Sequence, residues 1–165
     1  MSVSAAYALT CSVTETFTGP YVDPANPTAG FNGLNTSGTL NASSTVPATK
    51  HAADVCTMSG GTGSINLASL PGVTAEETVN LTGLKVQLVL FRAKSTNANP
   101  ITEAKGASNG YGLNAAGTTF SIVLDPGQVH FAYLGDTAPD VASGARVWDV
   151  TGTGAQVLEY QIVAG

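Results

Sequence analysis

The longest run of large apolar side chains in this chain is Leu88-Val89-Leu90-Phe91, inside the segment Leu84-Lys85-Val86-Gln87-Leu88-Val89-Leu90-Phe91-Arg92. A short continuous apolar run is typical of a strand that is buried on both faces near the centre of a sheet. The segment therefore predicts a core strand. The residues that we expect in the hydrophobic core are Val86, Leu88, Leu90, Phe120, Ile122 and Ile162.

Further strand patterns lie on both sides of this segment. They recur at a spacing of roughly 8–12 residues, at residues 3–17, 51–58, 65–70, 101–105, 118–124, 129–134, 145–150 and 156–163. Turn residues such as Asn109-Gly110 and Asp125-Pro126-Gly127 separate them. The only helix candidate is a single turn at residues 74–79. We therefore predict an all-β fold, an antiparallel β-sandwich, in one domain spanning residues 1–165.

The first segment has the clearest pattern with a period of two. From Val3 to Phe17 the odd positions include Tyr7 and Leu9, whereas the even positions are Ser, Ala and Thr. A period of two places the odd positions on a buried face. A strand of this length either bends or runs as two pieces. Because it leaves an edge that natural proteins cover or pair, we expect a homo-oligomer.

Residues 19–50 are expected to form a long loop or arm within the domain. The segment contains four prolines, which remove amide donors and exclude most of it from a central strand. It has few large apolar side chains, so it cannot form a core of its own. We predict that Tyr21, Phe31 and Leu34 contact a partner. The alternative is a mobile surface loop.

Charge and composition limit the classes of partner. Charged residues make up 10% of the chain and the net charge is −5, against ~25% charged residues in an average soluble domain. The six Lys and Arg residues are scattered, whereas nucleic-acid binding requires clustered cations, so we expect no nucleic-acid partner. The N-terminus lacks a signal-peptide pattern, and no segment is long and apolar enough to span a membrane, so we expect a protein made in the cytoplasm with no membrane partner.

No set of residues predicts a catalytic, cofactor or metal site. Gly106-Ala107-Ser108-Asn109-Gly110 matches a hydrolase pattern, with Asp125 and His130 further along the chain. That pattern requires a helix after the serine, and here Asn109-Gly110 predicts a turn. His130 is interpreted as a solvent-facing strand residue, the alternatives being a general base or a pH switch.

Other polar and aromatic residues receive structural interpretations. The carboxylates of Asp136 and Asp140 supply too few oxygen ligands for calcium, and both residues fit an ordinary turn. Cys11 is interpreted as a buried thiol, and a disulfide between Cys11 and Cys56 is the alternative. Trp148 is assigned to the core, although an exposed Trp148 would provide a platform for stacking sugars.

The C-terminal two-thirds of the chain resembles the small all-β decoration or cement proteins of tailed-phage heads. The likeness runs from Leu84-Lys85-Val86-Gln87 through Leu124-Asp125-Pro126-Gly127-Gln128 to the terminal Val157-Leu158-Glu159-Tyr160-Gln161-Ile162-Val163-Ala164-Gly165. It consists of short strands, small residues and a strand at the C-terminus, and no diagnostic motif carries it. The resemblance implies a jelly-roll-like sandwich, a homo-oligomer such as a trimer, and binding to an icosahedral shell.

These observations predict a non-enzymatic virion structural protein, made in the host cytoplasm, that decorates or cements a capsid through protein–protein contacts. Its expected partners are other copies of itself and a shell protein. The alternative is a receptor- or glycan-binding head of a fibre or a surface adhesin. A hydrolase with a dispersed site is a third hypothesis. Sandwiches host all of these functions, so fold alone does not separate them.

Overall fold

A computed structural model describes residues 3–10, 13–16, 28–31, 36–72 and 77–165. Every regular element in this part of the chain is a β-strand. The strands are β1 (Ser4–Leu9), β2 (Val13–Thr16), β3 (Thr28–Phe31), β4 (Thr36–Asn41), β5 (Lys50–Thr57), β6 (Thr62–Asn66), β7 (Leu70–Pro71), β8 (Thr78–Val79), β9 (Val86–Ala93), β10 (Ile101–Lys105), β11 (Ser121–Leu124), β12 (Val129–Tyr133), β13 (Val147–Gly152) and β14 (Val157–Ala164).

Two four-stranded antiparallel sheets pack against each other. Sheet I has the order β12-β9-β14-β5, and sheet II has the order β11-β10-β13-β6. The strand pairs are nested along the chain, so that the first of these eight strands pairs with the last, the second with the second to last, and so on inwards. The pairs are β5–β14, β6–β13, β9–β12 and β10–β11. Successive pairs alternate between the two sheets. The all-β, sandwich-like architecture that the strand pattern predicts is confirmed.

The core between the sheets is built around three aromatic rings. The ring of Trp148 meets those of Phe91 and Tyr111 edge to face, with centroids 5.2 Å and 5.6 Å apart. Its indole Nε1 donates a hydrogen bond of 3.0 Å to the Tyr111 carbonyl oxygen. Trp148 is 1% exposed, which confirms its assignment to the core.

The predicted core residues fall into two groups. Val86, Leu88 and Ile162 are buried, as predicted. Phe120 and Ile122 are only partly buried, at the margin of the core. Leu90 is also half-buried, because its neighbours Val89 and Phe91 take the inward positions and the pleat turns Leu90 to the outer face of sheet I.

The N-terminal residues form a β-ribbon, which we define as β1 paired with β4 (its base) and β2 paired with β3 (its distal part). The predicted long strand thus runs as two pieces. The prediction of a loop over residues 19–50 is wrong for Thr28–Phe31 and Thr36–Asn41, which are strands because β1 and β2 supply their hydrogen-bonding partners. The base packs on the outer face of sheet I and adds a third layer there.

The prediction of a helical turn at residues 74–79 is wrong for the part of it that the structure describes. Thr78–Val79 is a strand that pairs antiparallel with Leu70–Pro71, and residues 73–76 lie outside the described residues. Pairing with β7 provides the backbone hydrogen bonds that a single isolated helical turn could not supply. None of the described residues belongs to a helix long and apolar enough to cross a membrane.

Candidate interaction surface

The outer face of sheet I consists of three rows of side chains that cross its four strands. The strand register places four residues directly opposite one another in each row. From β5 to β12, row A is Val55, Glu159, Arg92 and Val129, row B is Ala53, Gln161, Leu90 and Phe131, and row C is His51, Val163, Leu88 and Tyr133. The rows differ in how far the ribbon covers them.

The ribbon base covers the centre of row C, Leu88 and Val163, and Phe131 of row B, whereas His51 and Tyr133 at the ends of row C stay exposed. Its inward side chains are Ala5 and Tyr7 from β1, Val3 just before β1, and Leu40 from β4. They pack with Leu88, Val163 and Phe131 of the sheet. The prediction that odd positions of the first segment face inwards is therefore confirmed at residues 3, 5 and 7. Each apolar side chain removed from water here adds to the attachment of the ribbon.

The ribbon crosses sheet I from β5 to the opposite edge. Val3–Ala6 line a groove of about 690 Å³ together with Thr49–His51 at the start of β5. Tyr7 stacks on Tyr133 with ring centroids 4.7 Å apart, and more loosely on Phe131 at 6.4 Å. Both aromatic partners of Tyr7 belong to β12, the edge strand of the sheet. The ribbon therefore reaches the edge of the sheet at Tyr7.

Gly38 allows the tyrosine ring to lie across the ribbon. Gly38 is the cross-strand partner of Tyr7, and a Cβ atom at this position would lie 2.7 Å from the Tyr7 hydroxyl oxygen. Any side chain here would displace the ring from its stack on Tyr133. Glycine at this position thus serves the attachment of the ribbon.

The distal part consists of β2 and β3, which pair antiparallel with each other. Leu9, two residues after Tyr7, is 51% exposed, and β2 then pairs with β3 from Val13↔Phe31 to Thr16↔Thr28. Neither β2 nor β3 packs extensively against another described element. The backbone of these strands is thus held by their mutual pairing.

The outward side of the ribbon base is flat and uncharged. Its exposed side chains are all small: Ser4, Ala6, Ala8, Ser37, Thr39 and Asn41. Proteins commonly protect open strand edges with Lys, Pro or bulges. Among the described ribbon residues there is no Lys, Arg or Pro, and Glu15 is the single charged residue. Within the described chain, β1 pairs only with β4, so its other edge is open.

Row A has no contact with the ribbon base among the described core clusters. Val55 is 48% and Val129 is 51% exposed, and they flank an ion pair in which the Arg92 Nε donates to the Glu159 carboxylate. A shallow groove of about 390 Å³ runs over Val55, Leu90 and this ion pair. Row A thus has one exposed valine at each edge of the sheet and an ion pair between them.

The outer face of sheet II is different. Its exposed or half-exposed positions carry mainly hydroxyl side chains, such as Thr62, Thr102 and Thr151, and Val123 on β11 is a single large apolar residue that is 61% exposed. An isolated surface valine of this kind is ordinary. The two outer faces are therefore distinct, and only that of sheet I carries an adjoining ribbon.

The predicted contact residues cannot be placed on this surface. Tyr21 and Leu34 lie outside the described residues. Phe31 ends β3, opposite Val13. Row A was not identified from the sequence, although the exposed apolar positions Val55 and Val129 alternate with more buried ones in their strands.

His130 does not face solvent, contrary to prediction. It points between the sheets, where its Nδ1 bonds the Glu103 carboxylate from sheet II. Glu103 is 1% exposed, and its Oε2 has no hydrogen-bond partner among the described residues. Burial raises the pKa of the Glu103 carboxyl, and the hydrogen bond and charge of His130 oppose that rise. The strand pattern offered one signal, since Glu103 shares a face of β10 with the buried Ile101.

The serine, aspartate and histidine of the hydrolase pattern do not come together. Asp125 follows β11 next to the start of β10, because Leu124 pairs with Ile101, whereas Ser108 follows the end of β10. The five residues of β10 separate them by about 16 Å at ~3.3 Å per residue. The backbone amide of Asp125 bonds Gln128. This arrangement is an ordinary pair of turns.

The remaining candidate groups have structural partners. The Lys85 Nζ donates to the Asp136 carboxylate at 3.0 Å, and this bond raises the pKa of Lys85. The Cys56 Sγ lies 3.8 Å from the Ser64 carbonyl oxygen, and burial raises the pKa of its thiol. Cys11 lies outside the described residues.

No protein-family model matches this chain, and neither does any curated protein or solved structure. Function is therefore inferred from the topology and from the surface described above.

Proposed function

We propose that this protein is a non-enzymatic structural component of a virion that decorates or cements a capsid through protein–protein contacts. The observation that carries the proposal is the nested pairing of eight strands, β5 with β14, β6 with β13, β9 with β12 and β10 with β11. In our proposal, this nested pairing is that of a long hairpin rolled up into a jelly roll. Viral capsid proteins are among the principal users of this architecture, as are lectins and cupins.

The ribbon supports the choice of an assembly role over other jelly-roll functions. Its base is fixed by Val3, Ala5 and Tyr7 on sheet I, and its distal strands pair with each other without extensive packing on another described element. In our proposal this distal part is an arm that reaches a neighbouring shell protein or another copy. Edge pairing and apolar burial would attach it.

The glycan-binding alternative has less support. Its motive was an exposed aromatic platform around Trp148, and Trp148 is enclosed in the core with its indole nitrogen bonded to Tyr111. Because a buried indole offers no face to a sugar ring, the alternative loses the residue on which it depended.

The proposal is tested on particles purified by density gradient from the source of the chain. An antibody should detect the protein in the particle band, and recombinant protein should rebind to particles from which it has been removed. The informative variant replaces residues 10–35 by Asn-Gly. Leu9 and Thr36 are directly opposed, so a two-residue turn closes the shortened ribbon.

We expect the shortened variant to keep the wild-type melting temperature and to lose particle binding. Val123→Lys, on the outer face of sheet II, is the control and should bind like wild type. Absence of the protein from the particles, or full binding by the shortened variant, would contradict the proposal.

A further inference from the structure

We propose that the protonation state of the buried pair His130–Glu103 controls how firmly the ribbon base is held on sheet I. Strand β12 couples the two sites. It carries the histidine of the pair on its inner face and the aromatic partners of Tyr7 on its outer face. The coupling acts within one chain and requires no partner.

β12 is an edge strand with few attachments on its inner side. It has five residues, and β9 is its only hydrogen-bonded neighbour among the described strands. Of its side chains, only His130 and Ala132 face the core. In the part of the chain that the structure describes, the bond of His130 to Glu103 is the only hydrogen bond between two side chains that joins the two sheets. Apart from the ladder with β9, the inner face of β12 therefore depends mainly on this bond.

The outer face of the same strand holds the ribbon. Tyr7 stacks on Tyr133 with ring centroids 4.7 Å apart and on Phe131 at 6.4 Å. A movement of β12 that breaks the inner bond therefore also disturbs the outer stack. Such edge strands open locally at a lower free energy than the whole domain. This opening is the two-state element whose equilibrium both sites influence.

The exposure of the two side chains determines the direction of the pH effect. The Glu103 side chain is 1% exposed and that of His130 is 18% exposed. When the pair holds one proton beyond the N–H of a neutral imidazole, its net charge is zero. Loss of this proton leaves an unpaired negative charge on Glu103, whose Oε2 has no hydrogen-bond partner among the described residues, and burial of such a charge is unfavourable. A second proton leaves the positive charge on His130, which water already reaches.

The closed strand is therefore weakened mainly on the alkaline side. Burial raises the pKa of the Glu103 carboxyl, although the hydrogen bond and charge of His130 oppose that rise. The closed form thus holds the proton more tightly than an open form in which water reaches Glu103. Its stabilisation is complete at low pH and is lost as pH rises through the pKa of the closed form.

The described strands of sheet II provide no other countercharge for the pair. Lys105 shares a face of β10 with Glu103, but its Nζ donates to the Gly117 carbonyl oxygen. β11 contains no charged residue. On β13, Asp149 faces away from the core and accepts the Ala107 amide.

The described strands of sheet I provide none either. Arg92 of β9 pairs with Glu159 on the outer face. The inward row of His130 continues through Phe91 and Tyr160 to Asp54, which lies three strands away, or about 14 Å at ~4.8 Å per strand. Burial raises the pKa of Tyr160 to about 12, so Tyr160 remains neutral up to pH 9.

The ribbon base has titratable neighbours of its own. His51 lines the larger groove beside Val3–Ala6, together with Lys50 and Glu77. His51 is therefore the matched control for His130, because it lies at the ribbon but does not join the sheets. Burial and the bond to Tyr7 raise the pKa of Tyr133 above its ordinary value of ~10, so the aromatic stack keeps its protons up to pH 9.

The first test measures amide hydrogen exchange of wild type at pH 6, 7, 8 and 9. Protection factors remove the intrinsic pH dependence of the exchange reaction. The protection of β12 and β1 should fall by about tenfold or more over this range, because a pKa difference of one unit between the closed and open forms corresponds to a factor of ten. The protection of β14 should not change.

Two variants assign the effect to the pair. Glu103→Gln keeps the size and polarity of the side chain but does not titrate, so its protection factors should not change with pH. His51→Gln should follow wild type. Constant protection in wild type, a Glu103→Gln variant that follows wild type, or a His51→Gln variant that has lost the pH dependence would each overturn the proposal.

The second test needs no variant, and it decides the matter even if Glu103→Gln does not fold. The NMR signals of the His130 ring and of the Tyr7 ring are followed in wild type over the same pH range. They should shift with a common midpoint, because one opening event moves both. Different midpoints, or a Tyr7 ring that does not respond, would refute the coupling. Both tests use isolated protein, so their outcome is independent of particle binding.

Discussion

Truncation of two leucines should reveal whether the ribbon is attached as a separate layer. Leu158 is 0% exposed between the two sheets, and Leu88 is 7% exposed beneath the ribbon base. Leu→Ala removes three carbon atoms, or about 2.4 kcal/mol at ~0.8 kcal/mol per buried methylene. A cavity that cannot collapse increases this cost to as much as ~5 kcal/mol.

The two sites differ in how well the cavity can collapse. Leu158 is enclosed between two four-stranded sheets, so most of its cavity should persist and the variant should lose ~4 kcal/mol of unfolding free energy. Leu88 is covered by the two-stranded ribbon, which can move into the cavity left by the substitution. We therefore expect Leu88→Ala to lose ~2–3 kcal/mol, close to the transfer value alone.

Urea unfolding at constant pH measures the two free energies, and amide hydrogen exchange locates the effect. In Leu88→Ala the amides of β1 and β4 should exchange faster while those of β14 keep their protection. In Leu158→Ala protection should fall throughout both sheets. A loss below ~0.5 kcal/mol for Leu88→Ala would mean that the ribbon does not cover this residue. Equal losses with uniform exchange would mean that ribbon and sheets unfold as one unit.

Three further substitutions test individual contacts. Burial raises the folded-state pKa of Glu103, so the contribution of this carboxyl group to stability is complete below its unfolded pKa of ~4.3 and is lost as pH rises through its folded pKa. The stability difference between wild type and Glu103→Gln, measured in urea at pH 5, 6 and 7, should therefore shift in favour of wild type as pH falls. A difference that stays constant would contradict this. Tyr111→Phe should cost ~1–3 kcal/mol in the same assay, because the hydroxyl accepts the Val86 amide at 3.0 Å and donates to the Pro139 carbonyl at 2.6 Å; an unchanged midpoint would rule out these bonds. Gly38→Ala should disrupt the aromatic stack and reduce near-ultraviolet circular dichroism, while the midpoint of the sheets changes little; an unchanged spectrum would refute the clash.

Much of the sandwich follows from sequence because its strands bury at least one face. The segment 101–105 matches β10, Ile101–Lys105, and residues 129–134 match β12, Val129–Tyr133, to within one residue. The run at residues 84–92 gives β9, Val86–Ala93. In each case alternation or an apolar run reflects burial directly, and Gly, Pro or Asn marks where the strand ends.

The ribbon strands β3 and β4 were not predictable in the same way. Thr28–Phe31 and Thr36–Asn41 each contain a central glycine together with Ala, Ser or Asn, and Gly, Ala and Asn are depleted in strands. They are strands because β1 and β2 align with them and satisfy their backbone groups. The role of Gly38 becomes apparent only when Tyr7 is known to lie opposite. Local sequence does not contain that pairing.

The prediction for β12 was wrong because a third layer covers part of sheet I. Its larger apolar residues, Val129, Phe131 and Tyr133, alternate with His130 and Ala132, so a two-layer sandwich would direct the first set inwards. The structure reverses this, because the ribbon adds a third layer and buries apolar residues on the outer face as well. Where a sheet is covered on both faces, the alternation of apolar and polar residues does not indicate which face lies in the core. In β12 the inward position is occupied by His130, whose partner is the buried Glu103. By the same reasoning, the outer face should be apolar only as far as something covers it. The ribbon covers Leu88 and Val163 at the centre of row C, and where it ends the outer face carries the exposed ion pair of Arg92 with Glu159, with Val55 and Val129 as isolated exposed valines beside it.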